Sequence, residues 1–573
     1  MSGAQPASHR RRSSWTAWPL SIVVPSLAFV VGLVKVVTTY GRPYYHYGDQ
    51  AILALRVGDA MRFHAEVGPY SRFGWSHPGP ALFYLLAPVY SLSGNNPRSL
   101  LAGSLLINGV CIVATLMVVH RFAGEWSTRW AVAVVGVALL ALGANAIETF
   151  WNPSLEAPAV LLVMVLTAGA ISGSGLSVVW MAVVGSYVVQ TDVGTAPLVG
   201  VMAVCSISGY LTQAGIRRRH HREVDHRERG LTPAMLGILG LVVLIFAWIP
   251  PLVQEFAGHP GNLSALYDFF TKPSVTAAKF GSTHGLSAAW ATVANSTTAV
   301  PWGNFSASAS MTTAAMGRQE TLVFWGCLAL AGMIWAGCSR RWFALGLSVT
   351  SLVGLVVSVI SVERIVGPIG DYLTYWMALV PAPGAIAIGV LSVESLRERT
   401  MSPSPTWWRA PLVWAMAIVS IVPAVFVGRQ LARGSAAIES DGNTEIGQLS
   451  AFAIAHLRSV PDRSVLVVMG NADRWPEASG LVLQLARDGY HPTVTREWEF
   501  MFTKPYVASS APRAQLVLTD GIPGTPPGSA GLSQTYSVGD VPTTITFVEP
   551  LPPSVADSTM RGDDGSEPGA PGN

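Results

Sequence analysis

Long apolar runs constrain this chain more than any other feature of its sequence. A run of roughly 17–25 apolar residues is long enough to cross the hydrocarbon core of a bilayer as a helix. Only 12% of the 573 residues are charged, about half the share that is usual in soluble proteins. The sequence therefore predicts an all-α polytopic membrane protein, with spans at 19–39, 99–119, 130–146, 157–173, 232–250, 320–338, 342–360, 373–396 and 410–428.

A further apolar stretch, residues 176–212, is interrupted in its middle by polar and helix-breaking residues. It predicts two helices of about 15 residues each, or about 22 Å at 1.5 Å per residue. That length is shorter than the hydrocarbon core of about 30 Å. We therefore expect a polar apex recessed below the membrane surface, formed by Gln190, Thr191, Asp192, Gly194 and Pro197.

The distribution of basic residues sets the topology. The segment from Pro80 to Leu92 is only about thirteen residues long, a length typical of an interfacial segment. If it does not cross, every basic loop lies on the side of the N-terminus, as the positive-inside rule requires. We therefore predict about eleven spans in the cell membrane, with the N-terminus cytoplasmic and the C-terminus extracytoplasmic. The basic clusters lie at 10–12, 121–129, 217–229, 340–341 and 397–409.

This topology divides the chain into regions of different character. Residues 1–18 form the cytoplasmic N-terminus, and 19–429 form the transmembrane domain, with long outer loops at 40–98 and 251–318. Residues 430–550 predict a small extracytoplasmic α/β domain, with helices at 446–457 and 478–487 and strands at 464–469, 515–519 and 543–547. Residues 551–573 are rich in Pro, Gly, Ser and Asp, and we expect them to be disordered.

The α/β domain carries one polar cluster, Asn471, Asp473, Arg474 and Glu477, at a predicted strand-to-helix turn. Nothing in the domain predicts a membrane contact for a lipid-linked substrate. We therefore expect the domain to bind an acceptor or a partner rather than to perform a reaction.

The first outer loop concentrates aromatic and acidic residues directly after the first span. Within it, residues 51–63 have helical spacing and predict a helix that lies flat on the membrane, with Asp49 at its N-terminal end. A carboxylate there can act as a base at the membrane surface. The alternative is that Asp49 only caps the helix.

Motifs in the first two outer loops resemble those of bacterial GT-C membrane glycosyltransferases. This superfamily includes protein O-mannosyltransferases, aminoarabinose transferases and the catalytic subunits of oligosaccharyltransferases. The resemblance implies a GT-C-like fold and inverting transfer of a sugar from a polyprenyl-phosphate donor to a glycan, lipid or protein acceptor of the cell envelope. The motifs are Gly48-Asp49-Gln50 after the first span, His77-Pro78-Gly79-Pro80 before the apolar segment at 83–88, and Trp151-Asn152-Pro153 in the second outer loop.

The resemblance also implies roles for single residues. In the family, an acidic residue of the first outer loop is the general base, and Asp49 occupies its position. A positioned base is typically worth about 10²–10⁴ in rate, because the acceptor hydroxyl loses its proton as it attacks. The metal-dependent branch of the family has an Asp-x-Asp pair, whereas Gly48-Asp49-Gln50 has one acid. No cofactor is therefore certain, and dependence on a divalent metal stays open.

The second outer loop supplies further candidates. Trp151 and Asn152 are expected to line the sugar site, with Glu148 or Glu156 as a second acid. The alternative is that Trp151 is an interfacial belt residue and that Asn152 only begins a helix before Pro153.

Three other residues complete the predicted substrate site. Asp192 is expected to line the cavity, because an ionisable group at membrane depth usually faces a polar space; it can also simply cap the next helix. Arg364 is expected to hold the lipid phosphate, unless it pairs with Glu363 or Asp371. His77 can contact the same phosphate, although a packing or capping role is more common for such a histidine.

Other function classes compete with the transferase. A transporter or flippase of lipid-linked sugars tends to show internal repeats and ionisable residues near the bilayer midplane. The chain shows no repeat, and its acids cluster at the outer ends of spans. A non-catalytic assembly protein would tolerate changes at these acids. The basic residues orient helices and contact membrane lipids, so nucleic acid is not an expected partner.

Overall fold

The computed structural model describes residues 20–219, 231–258, 260–302, 319–400, 409–434, 438, 441–460, 463–508, 514–520, 531–538 and 541–548. The predicted cytoplasmic N-terminus (1–18) and disordered tail (551–573) lie outside these residues. The membrane domain consists of helices joined by loops. Its helices are α1 (Leu20–Thr38), α2 (Asp49–Met61), α3 (Ala81–Leu92), α4 (Ser99–Glu148), α5 (Asn152–Ile171), α6 (Gly175–Thr191), α7 (Ala196–Arg219), α8 (Leu231–Ala257), α9 (Asn262–Thr271), α10 (Pro273–Phe280), α11 (Leu286–Trp302), α12 (Gln319–Cys338), α13 (Trp342–Glu363), α14 (Ala382–Thr400) and α15 (Arg409–Arg433).

The predicted spans fall on helices of the structure, and the span at 373–396 begins in a 3₁₀ helix, Asp371–Leu379, and continues in α14. Within the described residues, 8 helices are long and apolar enough to cross a membrane. Helix α4 covers two predicted spans in 50 residues, because Gly124 (φ 78°) and Gly143 (φ 81°) turn the chain inside it. The multi-pass membrane architecture is confirmed, whereas the number of crossings, about eleven, stays a prediction.

The polar apex separates α6 from α7 through a short 3₁₀ turn, Val193–Thr195. The predicted length of the second helix was wrong: α7 has 24 residues, about 36 Å at 1.5 Å per residue. It is longer because the helix continues through the basic residues 217–219. Asp192 at the apex is only 7% exposed, since the first outer loop covers it.

Helix α2 does not have the free polar face that is expected of a helix lying flat on the membrane, as its spacing predicted. Both Arg56 and Asp59, on its polar side, are buried. The helix packs between α3 and a helix of the C-terminal domain. The prediction failed because periodicity identifies the apolar face of a helix but not a second protein surface on its polar face.

The C-terminal domain has the predicted α/β character. It contains helices α16 (Thr444–Leu457), α17 (Trp475–Arg487) and α18 (Glu499–Phe502), and strands β1 (Ser464–Met469), β2 (His491–Val494), β3 (Gln515–Asp520), β4 (Gly531–Val538) and β5 (Val541–Val548). The sheet order is β2-β1-β3-β5-β4, with β1 parallel to β2 and β3, and β5 antiparallel to β3 and β4. The sequence analysis missed β2 and β4.

A buried arginine fastens the first outer loop to the start of this domain. Arg98 is fully buried and donates to the carbonyl oxygens of Pro43 (2.9 Å) and Ile438 (2.8 Å). Its guanidinium also pairs with Asp441 at 3.2 Å. A buried guanidinium is stable only when its donors are satisfied, so this network fixes the loop at the point where it approaches α2.

Candidate active site at the first outer loop

Asp49 is the first residue of α2, and its side chain is not spent on capping that helix. The N-cap residue is Gly48, in the left-handed region at φ 56°. The amides of Ala51 and Ile52 donate to the Gly48 carbonyl oxygen at 2.9 and 3.2 Å. The capping alternative for Asp49 is therefore not what the structure shows.

The Asp49 carboxylate is instead held by side chains from two outer loops. The Tyr70 hydroxyl donates to Asp49 Oδ1, and Trp151 supplies a second side-chain hydrogen bond. Burial raises the pKa of Asp49 above its ordinary value, while these two hydrogen bonds oppose the shift. Burial and the neighbouring Asp49 charge raise the pKa of Tyr70 well above its ordinary value, so Tyr70 remains a phenol that donates.

Aromatic rings from both domains surround this carboxylate. In the membrane domain, the Trp151 ring lies 5.4 Å from that of Tyr372. In the C-terminal domain, the rings of Trp475 and Phe500 each lie 6.3 Å from that of Tyr70. Asp49 is half-buried as a whole residue, while its carboxylate lies deep enough in this aromatic setting for burial to raise its pKa.

Arg72 is a basic residue of this region that the sequence analysis missed. Its Nη2 atom donates to the carbonyl oxygens of Val366 (3.3 Å) and Pro368 (2.7 Å). Tyr372 is within electrostatic range of Arg72, Asp49 and Asp192 together. The signal that could have found Arg72 is its place in the aromatic stretch 70–75 of the loop that carries Asp49.

Arg364, the predicted phosphate-binding residue, lies exposed just after α13. Within the described part of the chain it forms no ion pair with Glu363; the side chain of Asp371 lies outside the described residues. The structure does not bring Arg364 into contact with Asp49, and its role stays a prediction.

A second polar cluster joins the first outer loop to the apex between α6 and α7. The Val193 amide donates to His77 Nδ1 at 3.0 Å, and the same nitrogen lies 3.7 Å from Asp192 Oδ1. An Nδ1 that accepts from an amide carries no proton, so we read His77 as neutral rather than as half of an ion pair. Burial lowers the pKa of His77, in agreement. Asn152 donates to the Thr191 carbonyl oxygen at 3.3 Å, which ties the second outer loop to the same apex.

Asp192 performs the capping role that was the alternative for it. Its Oδ1 accepts from the Gly194 amide at 2.7 Å, across the 3₁₀ turn. Its side chain therefore bonds to local backbone, while His77 lies 3.7 Å from it and Tyr372 lies within its electrostatic range.

The other two predicted acids are closed off from solvent. Glu148 and Glu156 are both 0% exposed. Among the described residues neither carboxylate oxygen of Glu156 has a hydrogen-bond partner, and Asp192 lies within its electrostatic range. As residues, Glu148 and Glu156 are therefore less accessible than Asp49, which is half-buried.

The polar cluster of the C-terminal domain is an internal network. Arg474 is 7% exposed and pairs with Asp520 at 2.6 Å and Glu477 at 3.1 Å. Its Nη1 also donates to Thr543 at 3.0 Å. These bonds tie the turn after β1 to β3 and β5, so the cluster serves the fold of the domain.

No group of three or more His, Cys, Asp or Glu side chains within the described ranges is placed to hold a metal ion. Asp49 has a tyrosine and a tryptophan as its bonding partners. Metal dependence stays open.

Comparison with solved structures identifies the fold. The crystal structure of ArnT from Cupriavidus metallidurans bound to undecaprenyl phosphate is 13% identical, with a TM-score of 0.50 over 92% of this chain and 97% of that one. ArnT from the same organism in the apo state gives 13% identity and a TM-score of 0.46 over the same shares of each chain. An oligosaccharyltransferase from Archaeoglobus fulgidus, in complex with zinc and sulfate, gives 10% identity and a TM-score of 0.41 over 86% of this chain and 67% of that one.

No protein-family model and no curated protein matches the sequence. The similarity to the undecaprenyl-phosphate complex of ArnT covers both the membrane domain and the C-terminal domain, since it spans 92% of the chain. The GT-C-like fold that the outer-loop motifs predicted is confirmed.

Proposed function

We propose that the chain is an integral membrane glycosyltransferase, which moves a sugar from a polyprenyl-phosphate donor to a glycan, lipid or protein acceptor of the cell envelope. The observation that carries this proposal is the Asp49 carboxylate, held by Tyr70 and Trp151 instead of capping its helix. The fold supports it, because a solved structure of the same fold is ArnT bound to undecaprenyl phosphate.

In the proposed reaction, Asp49 accepts the proton of the acceptor hydroxyl. The acceptor oxygen forms a bond to the anomeric carbon, while the bond from that carbon to the phosphate oxygen breaks. The electron pair leaves with the polyprenyl phosphate, and displacement from the opposite face inverts the anomeric carbon. A base works best when its pKa lies near the working pH, and burial moves the pKa of Asp49 upward from the carboxyl range.

Arg72 is our candidate for holding the leaving phosphate. A guanidinium presents several N–H donors in one plane, which suits phosphate oxygens. The carbonyl oxygens of Val366 and Pro368 take only its Nη2 hydrogens. Tyr372 lies within electrostatic range of both this guanidinium and Asp49, so phosphate and base can serve one substrate. Arg364 is the second candidate for the phosphate.

The topology belongs to the same proposal: Asp49 and the C-terminal domain lie outside the cytoplasm. A reporter enzyme that works only outside the cytoplasm should be active when it is fused after Asp441, at the start of the C-terminal domain. A fusion active only in the cytoplasm would overturn both the topology and the assignment of the site.

The decisive experiment compares a deletion strain with its parent. A transferase predicts a missing sugar in the envelope glycans together with accumulation of the polyprenyl-phosphate sugar. The purified protein, given that donor and an envelope extract as acceptor, should release free polyprenyl phosphate. A flippase would move the donor without releasing polyprenyl phosphate, so the lipid product separates the two functions.

A further inference from the structure

The C-terminal domain contacts the segment that carries Asp49 directly. The Gly48 amide donates to the Pro476 carbonyl oxygen at 3.2 Å. The Ser479 hydroxyl donates to the Pro476 carbonyl at 2.7 Å and lies 3.2 Å from the Gly48 carbonyl oxygen. The first turn of α17 therefore holds the residue that immediately precedes Asp49.

The same domain also packs against the tyrosine that bonds to Asp49. Trp475 meets the Tyr70 ring edge-on at an interplanar angle of 76°, and Phe500 does so at 73°. Edge-to-face pairs at such distances are worth about 0.5–1.5 kcal/mol beyond their burial. Tyr70 is thus fixed from the domain side while its hydroxyl points to Asp49.

The fit between α17 and this segment is close. A methyl group added at Gly480 would lie 2.9 Å from the His46 carbonyl oxygen and 3.0 Å from Ile446. A methyl group at Gly48 would lie 3.6 Å from both Pro476 and Trp475. Glycine at 480 therefore lets α17 lie directly on the chain that leads into α2.

We propose that the C-terminal domain is a positioning element for Asp49, acting through α17 on Gly48 and through Trp475 and Phe500 on Tyr70. The domain supplies no reacting group, and Asp49 takes its working position only while the domain is docked. This inference rests on the proposed function, in which Asp49 acts as the base. It changes the expected role of the domain, which the sequence assigned to acceptor or partner binding alone.

Few charged groups face Asp49, so burial dominates its proton affinity. Tyr70 bonds to it from the first outer loop, and Tyr372 lies within electrostatic range from the membrane domain. From α17 and the turn before it, Glu477 and Arg474 act on Tyr47 with opposite signs. If the domain moved away, water would reach the carboxylate and lower the pKa of Asp49 toward its ordinary value.

The test uses the full-length protein in lipid nanodiscs and four variants. Gly480→Ala pushes α17 away from His46, and Trp475→Ala removes one ring from Tyr70. Trp475→Phe keeps an aromatic ring and should restore most of what Trp475→Ala loses. Gly58→Ala is the matched control, because Gly58 lies in α2 itself and a methyl group there meets nothing within 4 Å.

Two readouts do not depend on transfer. One is hydrogen–deuterium exchange of residues 46–53, which should rise about tenfold in Gly480→Ala and Trp475→Ala, since local opening sets exchange. The other is the pH midpoint of carbodiimide coupling to Asp49, followed by mass spectrometry, which should move to lower pH in the same variants. Trp475→Phe and Gly58→Ala should stay near the wild type in both.

Unchanged exchange and an unchanged midpoint in both disruptive variants would overturn the proposal. A faster exchange with the wild-type midpoint would also overturn it, because the domain would then be holding the segment without affecting the carboxylate. If Gly480→Ala unfolds the domain, exchange will also rise along β1 and β3. In that case the comparison of Trp475→Ala with Trp475→Phe tests the proposal. Failure of the wild type to release polyprenyl phosphate would instead reject the proposed function, and the two readouts would still test the positioning role of the C-terminal domain.

Discussion

Asp49 and Asp192 are both carboxylates at the ends of helices, but the fold uses them differently. Asp192 is 7% exposed and caps the Gly194 amide. Asp49 leaves its helix to be capped by Gly48 and accepts hydrogen bonds from side chains of two other segments. The hydrogen bonds of Asp192 complete local backbone, whereas a carboxylate held by a tyrosine and a tryptophan is the candidate for a chemical role.

The same contrast divides the two regions around them. The apex cluster of His77, Asn152 and Asp192 bonds largely to backbone groups of residues 191–194. The Asp49 region is built from side-chain contacts and is completed by the C-terminal domain. The first region fastens loops together, whereas the second holds a carboxylate through side chains of other segments.

The sharpest way to test this comparison is to make the same change in both carboxylates. Asp49→Asn keeps an oxygen for Tyr70 but cannot accept a proton, so transfer should fall about 10²-fold or more. Asp192→Asn keeps a capping oxygen, and Asn caps about as well as Asp, so transfer should change less than about threefold. The measurement is release of polyprenyl phosphate by the purified variants, at matched expression and donor binding.

Near-wild-type transfer by Asp49→Asn would refute its role as base. The search would then move to Asp192 and to the buried acids Glu148 and Glu156. Equal losses in the Asp49 and Asp192 variants would erase the distinction between the two regions.

The two arginine candidates give the next largest effect. Arg72→Ala should raise the KM for the polyprenyl-phosphate donor about tenfold or more, since hydrogen bonds to charged groups are worth about 1.5–3 kcal/mol. Arg364→Ala should change it little, because Arg364 lies exposed after α13 without contact to Asp49. The reverse result would indicate that Arg364 binds the phosphate, as the sequence predicted.

The sequence predicted most of the helices, because the length of an apolar run is a local property of the chain. It also selected Asp49 and Trp151, which the fold brings into one hydrogen-bonded site. It could not find Arg72, Tyr70 or Trp475 as partners, because their roles arise from contacts between segments up to about 400 residues apart, such as Tyr70 with Trp475. The spacing of α2 predicted a free polar face for the same reason: the protein surface that covers this face comes from the distant C-terminal domain.

A smaller effect is expected from the hydrogen bond between Tyr70 and Asp49. This bond opposes the rise in the pKa of Asp49 that burial causes. Tyr70→Phe removes the donor, so the pKa of Asp49 should rise further and the acid limb of the pH–rate profile should move to higher pH. Well above that limb, transfer should fall by less than about tenfold.

A pH profile that keeps its wild-type acid limb would show that Tyr70 does not act on the ionisation of Asp49. Trp498→Phe serves as the control, because Trp498 stacks on Phe500 without touching the carboxylate. Its acid limb should coincide with that of the wild type.

The smallest effect is expected on stability, from the loss of the Asp192 side chain at the apex. Asp192→Ala removes the oxygen that accepts from the Gly194 amide, and loss of such a cap typically costs about 1 kcal/mol of stability. The thermal unfolding midpoint should therefore fall by a few degrees, while Asp192→Asn should restore it because the amide oxygen can accept the same hydrogen bond. Transfer measured well below that midpoint should stay close to that of the wild type. A large loss of transfer in Asp192→Ala, with stability unchanged, would place Asp192 in the reaction and make the apex part of the active site.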